Sequence, residues 1–389
     1  MIYDFSKPTN RLHTNSYKWD SAPNDDIIPL WVADMDFETY PAITEALQRR
    51  VVHGIFGYTR VPDAYYESVC QWFVKHHGWS INRSDIIYTS GVVPAISAII
   101  KALTLPGDQV IVQGPVYNCF YSSIRNNGCE MVSNSLIYNK ETLRYEMDFE
   151  DLDRKLSHER ARIMLLCNPH NPGGRVWSRE ELTHVAELCK KHGVRVVSDE
   201  IHCELTLHGN EYTPFGSLPD KLSFGSITCC SPSKAFNIAG LQIANIVCRD
   251  AAVRERVDRA ININEVCDVN PFGVEALMAA YTDGGEEWLM ELRKYLSDNY
   301  DMLLEFFAKH LPQLPVVRME GTYLAWVDCS SLGEASEEIE ERLMKKNKVW
   351  VNAGSMYGKE GEHFIRINMA CPRERLEEGL RRIAEGIIS

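Results

Sequence analysis

No stretch of this chain stays apolar for the ~20 residues a membrane-spanning helix needs, and the opening "MIYDFSKPTNRLHTNSYKWD" lacks a basic patch followed by an apolar run. Membrane insertion and secretion are therefore not expected. Basic charge is scarce as well. Against 54 Asp and Glu there are 41 Lys and Arg, a formal net charge of −13, and a surplus of that sign repels nucleic acid and anionic lipid. Missing too is any C-x-x-C pair: the 12 cysteines are scattered apart from the adjacent Cys229 and Cys230, and several lie in apolar runs such as "RIMLLCNP" and "SITCC". Reduced, buried thiols in a reducing compartment follow, with the cytoplasm as the expected address and no metal centre expected. There is no internal repeat and no low-complexity tract.

What is present is core material. With 45% hydrophobic residues over 389 positions, the chain can bury a large interior and divide into two lobes. From about 85 to 250, short β-branched runs ("DIIYTSG", "DQVIVQG", "ARIMLLC", "VRVVSDE", "SFGSITCCS", "ANIVC") alternate with amphipathic stretches. That alternation predicts an α/β fold, a three-layer large domain with a mainly parallel sheet between helices. The stretch 284–312 reads as one long helix ending before Pro312, and the strand and helix mixture after it predicts a smaller α+β domain. The expected division is 50–283 for the large domain and 1–49 with 284–389 for the small one.

Residues able to carry chemistry gather at the ends of the predicted strands. Lys234, in "SPSKAFNIAGLQ", follows the apolar "SFGSITCC" and so stands where open α/β sheets bind ligands, flanked by the hydroxyls of Ser231 and Ser233. A solvated surface lysine is the plain alternative. "VVSDEIH" ends a strand with Asp199, a carboxylate able to hold a proton on a heterocyclic nitrogen. "LLCNPHNPGG" offers Asn168 and Asn171, as turn residues or as amide donors. After Gly91 a helix opens near Pro94, so free backbone N–H groups in that loop suit a phosphate, although a tight turn alone explains the glycine. Tyr117, just past "VQGP", could stack on a flat ring or belong to the core or a lid. Together these residues form the inventory that pyridoxal 5'-phosphate requires.

Across nearly its whole length the chain resembles the fold-type I pyridoxal-phosphate enzymes of the aminotransferase superfamily, and within them the cystathionine β-lyase-like C–S lyases. The resemblance rests on "PLWVADMDF", "FGYT", "SGVVPAI", "NPHNPGG", "SDEIHCEL", "SPSKAFNIAGLQ" and "FIRINMACP". It implies that Lys234 carries the cofactor and later moves protons, that Asp199 keeps the ring nitrogen protonated, that Asn171 bonds the ring oxygen and that Tyr117 stacks on the ring. It further implies that Ser231, Ser233, Val92 and Val93 hold the phosphate, and that Arg366 grips the substrate carboxylate. Val32 and Ala33 of "WVADMDF" would contact substrate. Tyr58 would reach the phosphate of a neighbouring subunit, which makes the expected enzyme a homodimer with shared active sites. Two positions depart from the wider superfamily and match the C–S lyase branch: His202 where a tyrosine is usual, and Gln242 where an arginine is usual. His202 is either a cofactor contact or a satisfied core histidine. The implied activity is β-elimination from L-cystathionine, L-cysteine or related amino acids. An aminotransferase, or a partner-binding regulator on the same fold, stays open.

Overall fold

The computed structural model describes residues 3–263 and 268–388. The region 86–247 builds a seven-stranded sheet from β1 (Ile86–Thr89), β2 (Gln109–Val112), β3 (Glu130–Ser133), β4 (Ala161–Cys167), β5 (Arg195–Asp199), β6 (Ile227–Cys230) and β7 (Ala244–Val247). In space the order is β1-β7-β6-β5-β4-β2-β3. Only β7 runs against its neighbours, and the remaining pairs are parallel. Helices cover both faces, which is why β4, "ARIMLLC", and β6, "ITCC", are apolar runs instead of alternating ones.

The covering helices form for local reasons. In the helix Val92–Leu103, Val92, Ala95, Ile96, Ile99 and Ile100 share one buried stripe and pack with Val110, Val112, Leu165 and Ile246 of the sheet. Helix Arg179–His192 starts in a capping box, Ser178 with Glu181, and stops at Gly193, whose φ of 68° is left-handed.

Every sheet strand except β7 points the same way, so Thr89, Val112, Cys167, Asp199 and Cys230 end along one edge. Register confirms the alignment, with Cys167 opposite Asp199 and Asp199 opposite Cys229.

The long helix observed is Asp283–His310, capped by Thr282. Beyond it, strands Leu324–Asp328, Phe364–Asn368 and Asn352–Ala353 form a small antiparallel sheet, accompanied by helices Ser336–Asn347 and Arg373–Ile388. Residues 28–29 pair in parallel with 349–350, and Trp31 stacks on Trp350 with centroids 4.1 Å apart. Helix Pro41–His53, by contrast, packs on helix Pro271–Ala280. Among the described residues the cysteines are all free and mostly buried; Cys267 lies outside those residues. None of the described helices is long and apolar enough to cross a membrane.

Candidate active site

Loops leaving the common strand edge enclose a cavity of about 190 Å³, into which Ser90 to Pro94, Tyr117, Asn171, Asp199, His202, Ser233 and Lys234 all project. One further wall comes from the N-terminal segment through Ala33. Asn237, three residues after the lysine, fastens that segment to the lysine loop by accepting from Met35 N at 3.0 Å and donating to the carbonyls of Met35 and Phe37 at 2.9 and 3.0 Å. Arg11 pairs with Asp34 and Asp36 at 2.7 and 2.8 Å, and Lys18 with Asp36 at 3.2 Å, which fixes the same stretch from the outside.

Electrostatics in the cavity are set by burial. Lys234 donates from Nζ to the Ala33 carbonyl at 2.6 Å. Loss of water around it, followed by the nearby Arg366 charge, lowers its ammonium pKa from 10.5 to about 8. Asp199 is 3% exposed, has no cation in salt-bridge contact among the described residues, and is pushed up by burial from 3.8 to about 7. An amine that readily becomes neutral thus shares a cavity with a carboxyl that needs a cationic neighbour to stay ionised. His202 is buried, with its pKa driven well down by desolvation and by Lys234 and Arg366, so its ring is neutral. Its Nδ1 is buried without a hydrogen-bond partner among the described residues.

The other candidates fall into place unevenly. Asn171 accepts from Arg366 Nη1 at 3.1 Å, which leaves its amide N–H groups free to donate into the cavity. Arg366 is 3% exposed, donates from Nη2 to the Trp31 carbonyl at 2.8 Å, lies over the Tyr357 ring at 4.8 Å and has a buried Nε with no partner among the described residues. It stands behind Asn171 and is not part of the cavity lining. Val92 and Val93 precede the first intrahelical bond, Ala95 N to Gly91 O at 3.0 Å, so their amides are open. Ser233 lines the cavity, whereas Ser231 does not: its hydroxyl donates to the Ile243 carbonyl and accepts from Ser233 N, so it shapes the loop. Val32 likewise is not part of the lining, its carbonyl held by Asn368 Nδ2, while Ala33 lines the cavity. Tyr58 is 96% exposed and does not reach the cavity of its own chain.

Residues 25–383 match the model of the aminotransferase class I and II family. The chain belongs to that family. It is 44% identical over 384 residues to cystathionine beta-lyase PatB of Bacillus subtilis, with 98% of each chain covered. The solved structure of cystalysin from Treponema denticola, which contains a pyridoxal 5'-phosphate cofactor, superimposes with a TM-score of 0.96 at 32% identity, covering 100% of this chain and 99% of that one. The PLP-bound C-S lyase from Staphylococcus hominis gives a TM-score of 0.91 at 32% identity, with 100% and 99% covered.

The cofactor of this aminotransferase-family chain is pyridoxal 5'-phosphate, and the cavity fits it. Among the described residues the buried acid has no cation in contact and the buried His202 Nδ1 has no partner, while the open amides and the Ser233 hydroxyl can take an anion. Two contributors escaped the sequence. Tyr323 is buried and donates to the Ala33 carbonyl at 3.0 Å, and Asn368 donates to the Val32 and Asp34 carbonyls. Asn368 had a signal, since it lies two residues after Arg366 in an otherwise apolar strand and must share its face. Tyr323 had none.

Proposed function

We propose that this chain is a C–S β-lyase that cleaves L-cystathionine, L-cysteine or related thioether amino acids to pyruvate, ammonia and a thiol. The observation that carries the reading is the buried Lys234 and Asp199 pair in one cavity, on a chain 44% identical to a cystathionine beta-lyase. Pyridoxal 5'-phosphate, when bound, supplies the sink for the electron pair left at the substrate Cα.

The chain's own residues do the rest. Lys234, neutral above about pH 8, takes the Cα proton, and a positioned base of this kind contributes about 10²- to 10⁴-fold. The Ala33 carbonyl, 2.6 Å from Nζ, receives the resulting ammonium. Asp199, once ionised, would keep a proton on the ring nitrogen of the bound cofactor. Arg366, behind the cavity wall at 3.1 Å from Asn171 Oδ1, meets the substrate carboxylate by exchanging that bond for charge-assisted bonds to the carboxylate oxygens. With the proton removed, the electron pair forms the Cα–Cβ double bond as the Cβ–S bond breaks, the sulfur leaves as thiolate and takes a proton from the Lys234 ammonium, and water hydrolyses the released enamine to pyruvate and ammonia. Asn171, His202 and Tyr117 would orient the cofactor ring, and Ser233 with the Val92 and Val93 amides would hold its phosphate.

The shared-site homodimer is part of the same proposal. Val52, Ile55, Phe56 and Tyr58 form an exposed run, from 56% to 96% accessible, and a second copy of the chain covering it would carry Tyr58 to the partner's phosphate end. Free thiols suit the cytoplasm. Purified enzyme given L-cystathionine is expected to release pyruvate and a thiol with no 2-oxo acid acceptor. Strict dependence on an acceptor would make it an aminotransferase.

A further inference from the structure

The segment that carries Asp199 and His202 has a second side. Asp199, Ile201 and His202 line the cofactor cavity, while Cys203 lines a separate polar cavity of about 860 Å³ with His76, His77, Tyr212 and Arg293. Where His77 and Cys203 meet in its wall, the Nε2 of His77, the Sγ of Cys203 and a carboxylate oxygen of the buried Glu204 behind them lie within 4.8 Å of one another. His77 is the last residue of helix Asp63–His77. Its Nε2 is 2.8 Å from Glu204 Oε1, which also accepts from Trp72 Nε1 at 2.7 Å. The Glu204 side chain is 1% exposed, and its second oxygen, Oε2, is buried with no partner among the described residues.

We propose that His77, Cys203 and Glu204 bind one divalent zinc-type metal ion, with the fourth position open to the cavity. A nitrogen, a sulfur and a carboxylate are the ligand types zinc selects, and bond lengths of about 2.0 to 2.3 Å set ligand edges of about 3.3 to 3.8 Å in a tetrahedron. Cys203 and Glu204 already stand at 3.8 Å; the shorter 2.8 Å edge from His77 to Glu204 is a hydrogen bond that must open slightly. Binding replaces that hydrogen bond by metal–nitrogen and metal–oxygen bonds: the His77 Nε2 proton leaves to water, with the ring's remaining proton on Nδ1, and the Cys203 thiol gives its proton to water as the metal–sulfur bond forms. The loaded group of one dication, one thiolate and one carboxylate is neutral, so Arg293 in the same cavity does not repel it. Trp72 stays as the outer hydrogen-bond donor that orients the carboxylate. Sequence spacing gives no hint of this set, because His77 and Glu204 are 127 positions apart.

The test is equilibrium dialysis of the cofactor-loaded enzyme against zinc, with cobalt substitution read from its visible d–d bands. One metal per chain is expected, and Cys203→Ser should weaken binding on the order of tenfold or more, with the cofactor absorbance and circular dichroism unchanged. Should Cys203→Ser fail to fold, His77→Gln at the helix end carries the same expectation. No bound metal in the wild type, or equal affinity in the folded variant, overturns the proposal.

Discussion

Asp199→Asn keeps the shape of the side chain and removes its charge, which makes it the sharpest probe of the active site. Burial raises this carboxyl from 3.8 to about 7, and at about 1.4 kcal/mol per pH unit the cost of ionising it in the empty site is on the order of 4 kcal/mol. Two consequences follow. In the cofactor-free protein the folded pKa is above the unfolded one, so the stability associated with the protonated acid is complete below pH 3.8 and is lost as pH rises to about 7. Cofactor-free Asp199→Asn should therefore be more stable than wild type at pH 8, by up to about 4 kcal/mol, and equal to it near pH 4. In the loaded enzyme, the cationic ring nitrogen must at least offset that cost for Asp199 to ionise. Losing the pair is then expected to lower kcat/KM on the order of 10³-fold while the cofactor stays bound. Thermal unfolding of both proteins across pH 4 to 8, followed by pyruvate release at neutral pH, reads both effects. A wild-type stability slope that persists in Asp199→Asn, or activity within tenfold of wild type, would refute the role.

Covalent loading of the cofactor-free protein should accelerate about tenfold per pH unit up to about pH 8 and then level, because the neutral Lys234 amine reacts; borohydride trapping with peptide mapping follows it, and a rate still climbing toward pH 10 would contradict a depressed lysine. Arg366→Ala is expected to raise KM for the amino acid by an amount equivalent to about 2 to 5 kcal/mol, with the cofactor absorbance retained and the loading midpoint moved upward, since Arg366 is one of the charges holding Lys234 down. Unchanged KM and kcat would sink that assignment. Mixing inactive Lys234→Ala with inactive Tyr58→Ala chains should restore activity that neither has alone if each site draws on two subunits, whereas mixtures as dead as their parents would argue for sites complete in one chain.

Much of the site was legible because its residues stand at the ends of strands built around buried apolar runs. In "LLCNPHN", "VVSDEIH" and "SITCCSPSK" the switch from hydrophobic run to polar loop marks the strand end, and the sheet puts those ends on one edge. Residues whose role depends on a contact far along the chain were harder. Ser231 reads like a phosphate ligand but bonds the Ile243 carbonyl, and Val32 reads like its neighbour Ala33 but turns its carbonyl to Asn368. A one-residue step along an irregular segment decides which side a group faces, and no local pattern fixes that step.

By itself the sequence determined the sheet with its helical cover, the lysine, acid and amide at the strand ends, and the family resemblance, because hydrophobic period and turn chemistry are local properties. Only the tertiary structure decided how far water is excluded around Lys234 and Asp199, and therefore that their pKa values move toward each other. It also decided that Tyr323 shares the Ala33 carbonyl with the lysine, and that His77 meets Cys203 and Glu204. Desolvation and long-range juxtaposition arise from packing, in which residues hundreds of positions apart displace the same water.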